Sequence, residues 1–376
     1  MNKRLFVGDL APDFTCPSTN NDNFHFNAAA GRYIVLCFFG STSNAKNRNA
    51  VDFIAGDARH FFDDERISFF GVSIDPRDKA GDRVQQQTPG IRFFWDFDHA
   101  VSRRYNALKD DGMGGNGVIR YSPFTLILDP GLRIIAHIPL TDLERHNHRL
   151  VRVLSGLLPV DRYAGVPMTA PVLIIPNVFE PALCRRLVKL YETVGGRESG
   201  TMVEKDGYTV GRLDQGFKRR ADCKIDDPAL KAAMKRRIIR RIVPQVKSAF
   251  QFDVGVIERY IIACYDSKNQ GFFRPHRDNT TKGTAHRKFA CTINLNTGDY
   301  EGGALRFPEF GPRTYSAPMG GAVIFSCSLL HEATRVTRGK RYATLPFLYD
   351  RAGAQIRRDN HRFLSNAEGA VGRQAS

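Results

Sequence analysis

The segment "RPHRDNTT", residues 274–281, sets a histidine and an aspartate one residue apart, His276 and Asp278. Of the ten histidines in the chain, only His276 has a carboxylate two positions on. If the segment is extended, residues i and i+2 share a face, and one ion could reach both side chains. A further histidine, His331, follows 55 residues later, directly after the apolar run "GGAVIFSCSLL". Arg341 lies ten residues beyond it, in "KRYATLPFLYD". Two histidines and one carboxylate are the facial ligand set of mononuclear non-heme iron(II), with three coordination positions left open. An arginine nearby supplies a planar fork for a carboxylate. A bare H-x-D is weak, because histidines at strand ends are more often structural than metal-bound. The offsets of His331 and Arg341, and the strand pattern around them, turn the balance toward a metal site.

The elements that must position these residues read as short strands with turn signals: "VIERYIIACYD", "KFACTINLN", "GALRFPE", "GGAVIFS" and "RYATLPFLYD". Regular spacing of this kind predicts a sandwich or barrel such as a jelly roll over residues 255–350. Ahead of it, "DDPALKAAMKRRIIRRIVPQVKSAF" (226–250) predicts one helix, with Asp227 as cap and Pro228 as first residue. Leu230, Met234, Ile238 and Ile242 form its apolar face and Lys231, Lys235, Arg236, Arg237, Arg240 and Arg241 the rest, better explained as a solvated face than as a binding surface. Another helix begins near Glu180–Pro181. Arg212, Lys218, Arg219 and Arg220 fall in a Gly-containing stretch that reads equally as a substrate entrance or a solvated loop.

The first half alternates strand and helix patterns, the mark of an α/β layer fold. Residues 4–26 read as a loop and short hairpin. "RYIVLCFFG" (32–40) and "ISFFGVSID" (67–75) read as buried strands, "NAVDFIAGDARHFF" (49–62) as a helix, and "DHAVSRRYNAL" (98–108) as a helix capped by an Asp. "FTLILDPGLRIIAHIPL" (124–140) is a strand, a turn and a returning strand. The predicted divisions are 1–155 and 171–350, a Gly- and Pro-containing linker over 156–170, and a polar, basic, partly disordered tail over 351–376.

Composition is that of an ordinary globular protein, with 42% apolar and 25% charged residues over 376 positions. The longest early apolar run, "YIVLCFF", is too short to span a bilayer, and no signal-peptide pattern opens the chain, so no membrane role is expected. Seven scattered cysteines without a C-x-x-C argue for a reducing cytoplasm and against a disulfide framework. Residues 1–165 carry 20 basic and 19 acidic side chains, so nearly all of the net +16 lies beyond them. Such a field attracts acidic protein segments, nucleic acid or anionic metabolites, although solubility accounts for it equally well.

Residues 171–350 resemble the Fe(II)/2-oxoglutarate-dependent dioxygenases of the prolyl-4-hydroxylase type. The resemblance rests on "LIIPNVFEPALCRRLV", on the H-x-D segment, and on "YEGGALRFPEFGPRTYSAPMGGAVIFSCSLLHEATRVTRGKRYA". It implies an α+β double-stranded β-helix, a distorted jelly roll, in which His276, Asp278 and His331 hold iron and Arg341 pairs with the distal carboxylate of 2-oxoglutarate. Tyr265 matches a tyrosine that often hydrogen-bonds the cosubstrate, with a core tyrosine as its alternative. The implied reaction uses Fe(II), 2-oxoglutarate and O2, with ascorbate as a reductant. It hydroxylates an amino-acid side chain of a protein, peptide or amino-acid-derived substrate and releases succinate and CO2. In nucleic-acid demethylases the cosubstrate arginine usually lies further from the distal histidine, so nucleic acid is the lesser expectation.

Residues 5–150 resemble the peroxiredoxin branch of the thioredoxin fold through "VGDLAPDFTCPS", "RYIVLCFFGSTSN", "FFWDFDHAVSRRYNAL" and "RYSPFTLILDPGLRII". The fold class expected is therefore an α/β thioredoxin-like N-terminal domain joined to the jelly roll. The reactive positions of that family fall here on Gly40, Asn44 and Asn47, and an amide cannot replace a thiolate nucleophile. Arg120 corresponds to a supporting arginine. Cys37 reads as a buried small hydrophobe and Cys16 as a loop residue. A degenerate module that recruits substrate, braces the oxygenase or forms a homo-oligomer is expected. The alternatives are a thiol peroxidase acting through Cys16 or Cys37, and a non-catalytic binding module.

Overall fold

The computed structural model describes residues 4–110 and 119–364. They group into two compact units, residues 1–169 with 308–312, and residues 170–307 with 313–376.

The first unit is built on a five-stranded sheet of β1 (Tyr33–Gly40), β2 (Ile67–Ser73), β3 (Ile91–Trp95), β4 (Phe124–Leu128) and β5 (Ile134–Pro139), in the order β3-β2-β1-β4-β5. β1, β2 and β3 run parallel, while β4 and β5 form the antiparallel hairpin expected around Asp129–Pro130. All eight residues of β1 are buried, as a central strand covered on both faces requires. Helix α1 (Ala45–Ala55) begins earlier than its apolar spacing indicated, because the Asn44 side chain caps it, and stops at Gly56. The segment 98–108 holds only the short helix Ala100–Arg104. Its first amides donate to Asp98, at Ala100, and to Asp96, at Val101 and Ser102. Helix α2 (Leu143–Ser155) was not anticipated, although Asp142 caps it and buried His146, Leu150 and Leu154 lie on one face.

The second unit packs a major and a minor sheet face to face around a cavity. The major sheet runs β6 (Leu173–Ile175), β15 (Ala322–Ser326), β12 (Phe289–Asn294), β17 (Lys340–Thr344), β10 (Ile261–Asp266) and β8 (Ala221–Lys224). At its side β9 (Val256–Glu258) pairs with β18 (Phe347–Tyr349), which also pairs with β12. The minor sheet runs β7 (Lys218–Arg219), β11 (Phe272–His276), β16 (His331–Ala333), β13 (Leu305–Arg306) and β14 (Thr314–Tyr315). Two such sheets form the double-stranded β-helix. Helices α3 (Pro181–Val194), α4 (Pro228–Arg241) and α5 (Val243–Phe250) contribute Leu183, Leu187, Leu230, Met234, Ile238 and Val246 to one core with Ile262, Ile293 and Ile324.

Three expectations for this unit change. The helix over 226–250 is two helices, broken at Ile242, because Pro244 has no N–H to donate to the preceding turn. The basic face of α4 is partly structural: Arg237 and Arg241 both pair with Glu180. Residues 351–360 form helix α6 (Arg351–Asn360), capped by Asp350, rather than a disordered tail. Residues 365–376 of the expected tail lie outside the described part. The stretch 197–224 supplies strands. Thr201–Lys205 and Tyr208–Arg212 form a hairpin whose turn, Asp206–Gly207, has positive φ at both residues. Asp-Gly is the sequence signal for such a turn.

Candidate metal centre

β11 and β16 bring the two histidines together. In their antiparallel register His276 stands opposite His331, and Phe273 opposite Ala333. Between these pairs Arg274 and Pro275 of β11 oppose the single Glu332 of β16, which makes a bulge. Pro275, which has no amide to donate, fits there. The bulge breaks strand alternation and lets Phe273 and His276 face the same side, where their rings stack at 3.5 Å. Asp278 lies past the end of β11, in a turn. Its amide donates to Cys327 O at 3.0 Å, tying it to the segment that leads into β16. The i, i+2 relation of His276 and Asp278 therefore comes from a strand end and a tethered turn, not from continuous alternation.

The ligand atoms of His276, Asp278 and His331 all lie within 4.8 Å of one another. Asp278 Oδ1 is 3.6 Å from His276 Nε2, and its Oδ2 is 3.4 Å from His331 Nε2. Each imidazole places Nδ1 beside a backbone carbonyl two residues earlier, Arg274 O at 2.8 Å and Leu329 O at 3.0 Å. A carbonyl only accepts, so each Nδ1 carries the proton and each Nε2 lone pair faces the centre. That is the tautomer a metal needs. Burial, and then the neighbouring His276, push the His331 imidazolium down to about 4. Burial opposes ionisation of Asp278, but its electrostatic interaction with His331, and then with His276, outweighs burial and holds the carboxyl far below its usual range. Two neutral nitrogens and one carboxylate oxygen make a donor set fitted to a divalent cation.

These residues line a cavity of about 720 Å³ that also exposes Arg341 and Tyr265. Arg341 stands opposite Tyr265 across β17 and β10, its guanidinium carbon 5.1 Å from the phenol ring centroid. It is 2% exposed, its Nη2 donates to Asn294 Oδ1 at 3.3 Å, and its Nε has no partner. No carboxylate of a described residue lies within ion-pair distance of it. A buried guanidinium left unpaired costs several kcal/mol unless an anion joins it, roughly 3–5 by the measure of broken buried pairs.

Sequence reasoning missed Asp222 and Arg259 as cavity residues and Asn294 as the partner of Arg341, because a single asparagine, aspartate or arginine within strand patterns carries no spacing signal. It left the basic stretch undecided, and the structure divides it. Lys218 and Arg220 are buried in the cavity wall, Arg220 held in a two-point pair by Asp222. Arg212 is exposed and pairs with Asp214, and Arg219 donates to Gln215 O and Asn269 O.

In the first unit Asn44 caps α1 and Asn47 donates its side-chain amide to Ser41 O. Burial pushes the Cys37 thiol up to about 11, and burial with Asp96 and Asp98 pushes Cys16 up to about 12. Neither is a thiolate at neutral pH. Arg120 is exposed.

Comparison with known proteins agrees with both halves. Residues 260–349 match the 2OG-Fe(II) oxygenase superfamily and residues 7–137 match the AhpC/TSA family. The chain joins a 2OG-Fe(II) oxygenase domain to an AhpC/TSA domain. A PKHD-type hydroxylase of Synechococcus sp. is 26% identical over 170 residues, 38% of this chain and 75% of that protein. Another, of Acinetobacter baumannii, is 26% identical over 205 residues, 50% of this chain and 81% of that protein. Among solved structures, a Trichoplax adhaerens prolyl hydroxylase in complex with a hypoxia inducible factor peptide fragment aligns with TM-score 0.39 and 15% identity, covering 56% of this chain and 96% of that one. The oxygenase domain makes this chain a dioxygenase of the hydroxylase type, a class that uses Fe(II), 2-oxoglutarate and O2. Among the described residues no helix is long and apolar enough to cross a membrane.

Proposed function

We propose that His276, Asp278 and His331 hold Fe(II), that Arg341 receives the distal carboxylate of 2-oxoglutarate with Tyr265 beside it, and that the enzyme hydroxylates an amino-acid side chain in a protein, peptide or amino-acid-derived substrate. The observation that carries this reading is the buried Arg341, with its partnerless Nε, in the same cavity as a three-ligand cluster. Bound Fe(II) with 2-oxoglutarate and O2 would supply the oxidation that turns a substrate C–H into C–OH, releasing succinate and CO2, with ascorbate as a reductant.

The chain's own residues have separate tasks. The two Nδ1–H to carbonyl bonds fix the imidazole planes and keep both Nε2 atoms unprotonated. Asp278 contributes the one negative charge, and its backbone tether keeps it from swinging out. Arg341 orients the dicarboxylate, so that its other end is directed by geometry rather than by search. Phe273, stacked on His276, keeps water from that side of the ring.

The test is anaerobic titration of the protein with Fe(II) and then 2-oxoglutarate, followed by the visible metal-to-ligand charge-transfer band. The wild type is expected to show the band, His276→Ala to lose it, and Arg341→Ala to need far more 2-oxoglutarate. Well-folded wild type without a band would sink the assignment and put a non-catalytic binding role first.

A further inference from the structure

The cavity that holds the ligand cluster carries more positive charge than the oxygenase chemistry uses. Its lining acids are Asp222, Glu258 and Asp278. Asp222 is taken by Arg220, at 2.7 Å twice. Glu258 is shared between His286, at 2.5 Å, and Arg287, at 2.9 Å. Asp278 belongs to the histidine cluster. Arg341 is accounted for by 2-oxoglutarate. Two lining cations, Arg259 and Lys218, have no carboxylate of a described residue within ion-pair distance.

Both are placed to meet a ligand. Arg259 packs its guanidinium 4.4 Å over the Phe347 ring and donates from Nε and Nη2 to Leu345 O, at 3.0 and 2.8 Å. Those bonds orient the fork and engage one edge of it. Its backbone sits at φ 70°, in the left-handed region that a long L side chain adopts at a cost of about 1–2 kcal/mol. Lys218 is 5% exposed, donates to Ser199 Oγ and Gly200 O, and lies 4.8 Å over Phe273, the ring stacked on His276. Both line the cavity that His276, Asp278 and His331 line. Burial, and then Arg220, push the Lys218 ammonium down to about 6, a state that a bound anion would reverse.

Given the oxygenase reading, on which this rests, we propose that Arg259 and Lys218 form an anion subsite that holds a carboxylate or phosphate group of the substrate beside the metal-ligand cluster. The bond to be oxidised then belongs to an anionic molecule or to an acidic residue of a longer one. The planar fork of Arg259 suits either oxoanion, and Lys218 adds a point charge. The apolar walls around them, Phe273 and Phe347, raise the strength of both contacts by excluding water.

Full-length protein, held without oxygen with Fe(II) and saturating 2-oxoglutarate so that Arg341 is occupied, is titrated calorimetrically with N-acetylaspartate, O-phosphoserine and neutral N-acetylasparagine. At least one anion is expected to bind, with the neutral amide at least ~10-fold weaker. Arg259→Gln should weaken the anion by roughly 30-fold or more, as loss of one partner of a desolvated charge pair does. Arg259→Lys should recover part of the loss, and the charge-transfer band should persist in both variants. Preference for N-acetylaspartate or for O-phosphoserine separates a carboxylate from a phosphate source. If Arg259→Gln does not fold, Lys218→Met carries the same comparison. The subsite is overturned if neither anion binds the wild type, if anion and amide bind alike, or if the variants bind the anion as tightly as the wild type. A missing band would instead condemn the oxygenase reading, and the same titrations on metal-free protein would still decide the subsite.

Discussion

Each of the two units has its own buried core, and they differ in what they leave for chemistry. In the AhpC/TSA unit the charged groups around the turn after β1 satisfy one another. Asp75 accepts from Arg77, Ser41 and Ser43, and Asp78 accepts from Thr42 and Ser73. The thiols are buried and protonated. In the oxygenase unit three ligands converge with their lone pairs inward, and Arg341 and Lys218 are buried in the cavity wall with no carboxylate of a described residue within ion-pair distance. A fold survives on its core, whereas activity depends on a few polar groups kept unsatisfied in a place a ligand can reach.

The comparison breaks most sharply at the ligand cluster. Asp278→Ala should abolish Fe(II)-dependent decarboxylation of 2-oxoglutarate, by about 10³-fold or more on the scale seen when members of a catalytic unit are removed. Succinate release is the measurement, and turnover near the wild-type rate would remove Asp278 from the site. Arg341→Ala comes next. It should raise the 2-oxoglutarate concentration needed for half-saturation by about 100-fold, in line with loss of one half of a buried, hydrogen-bonded charge pair. Titration of the charge-transfer band reads this, and an unchanged midpoint would place the cosubstrate elsewhere.

Smaller effects belong to the first unit. Burial opposes ionisation of Asp64, but hydrogen bonds from Arg92, at 2.6 and 2.7 Å, and from Ser68 outweigh it and hold the carboxyl at about 2. A depressed folded value contributes stability that is present above the unfolded pKa, near 3.8, and is lost as pH falls toward 2. Asp64→Asn should therefore cost about 1–2 kcal/mol at pH 7 by denaturant unfolding, and the gap from wild type should close between pH 4 and pH 2. A gap independent of pH would show that the pair does not act through its charge. Least of all is expected from the thiols. Wild type, Cys16→Ser and Cys37→Ser should consume hydrogen peroxide with a dithiol at the same background rate. Faster consumption by the wild type, lost in either variant, would give this unit the redox chemistry its buried thiols argue against.

The strand pattern, the H-x-D segment, His331 and Arg341 were legible because each rests on a local signal: period, spacing or a turn. Helix α2 and the hairpin at Asp206–Gly207 carry such signals too, in the Asp142 cap and the Asp-Gly turn. The split of the helix at Ile242 was written in Pro244. Other features were not legible. Pro275 marks an irregular strand, but nothing local says that the bulge there aims His276 at His331.

What the chain determined by itself was the list of groups able to act and the elements that carry them. It also determined that no thiolate stands where the AhpC/TSA resemblance would put one, because residue identity alone decides that. Tertiary structure decided which cations have partners. Lys218, Arg219 and Arg220 are neighbours in sequence, but one binds backbone at the surface, one is cancelled by Asp222, and one is buried without an acid. Charge becomes function only when desolvation makes it costly to leave unpaired, and desolvation is a property of the packed sheets.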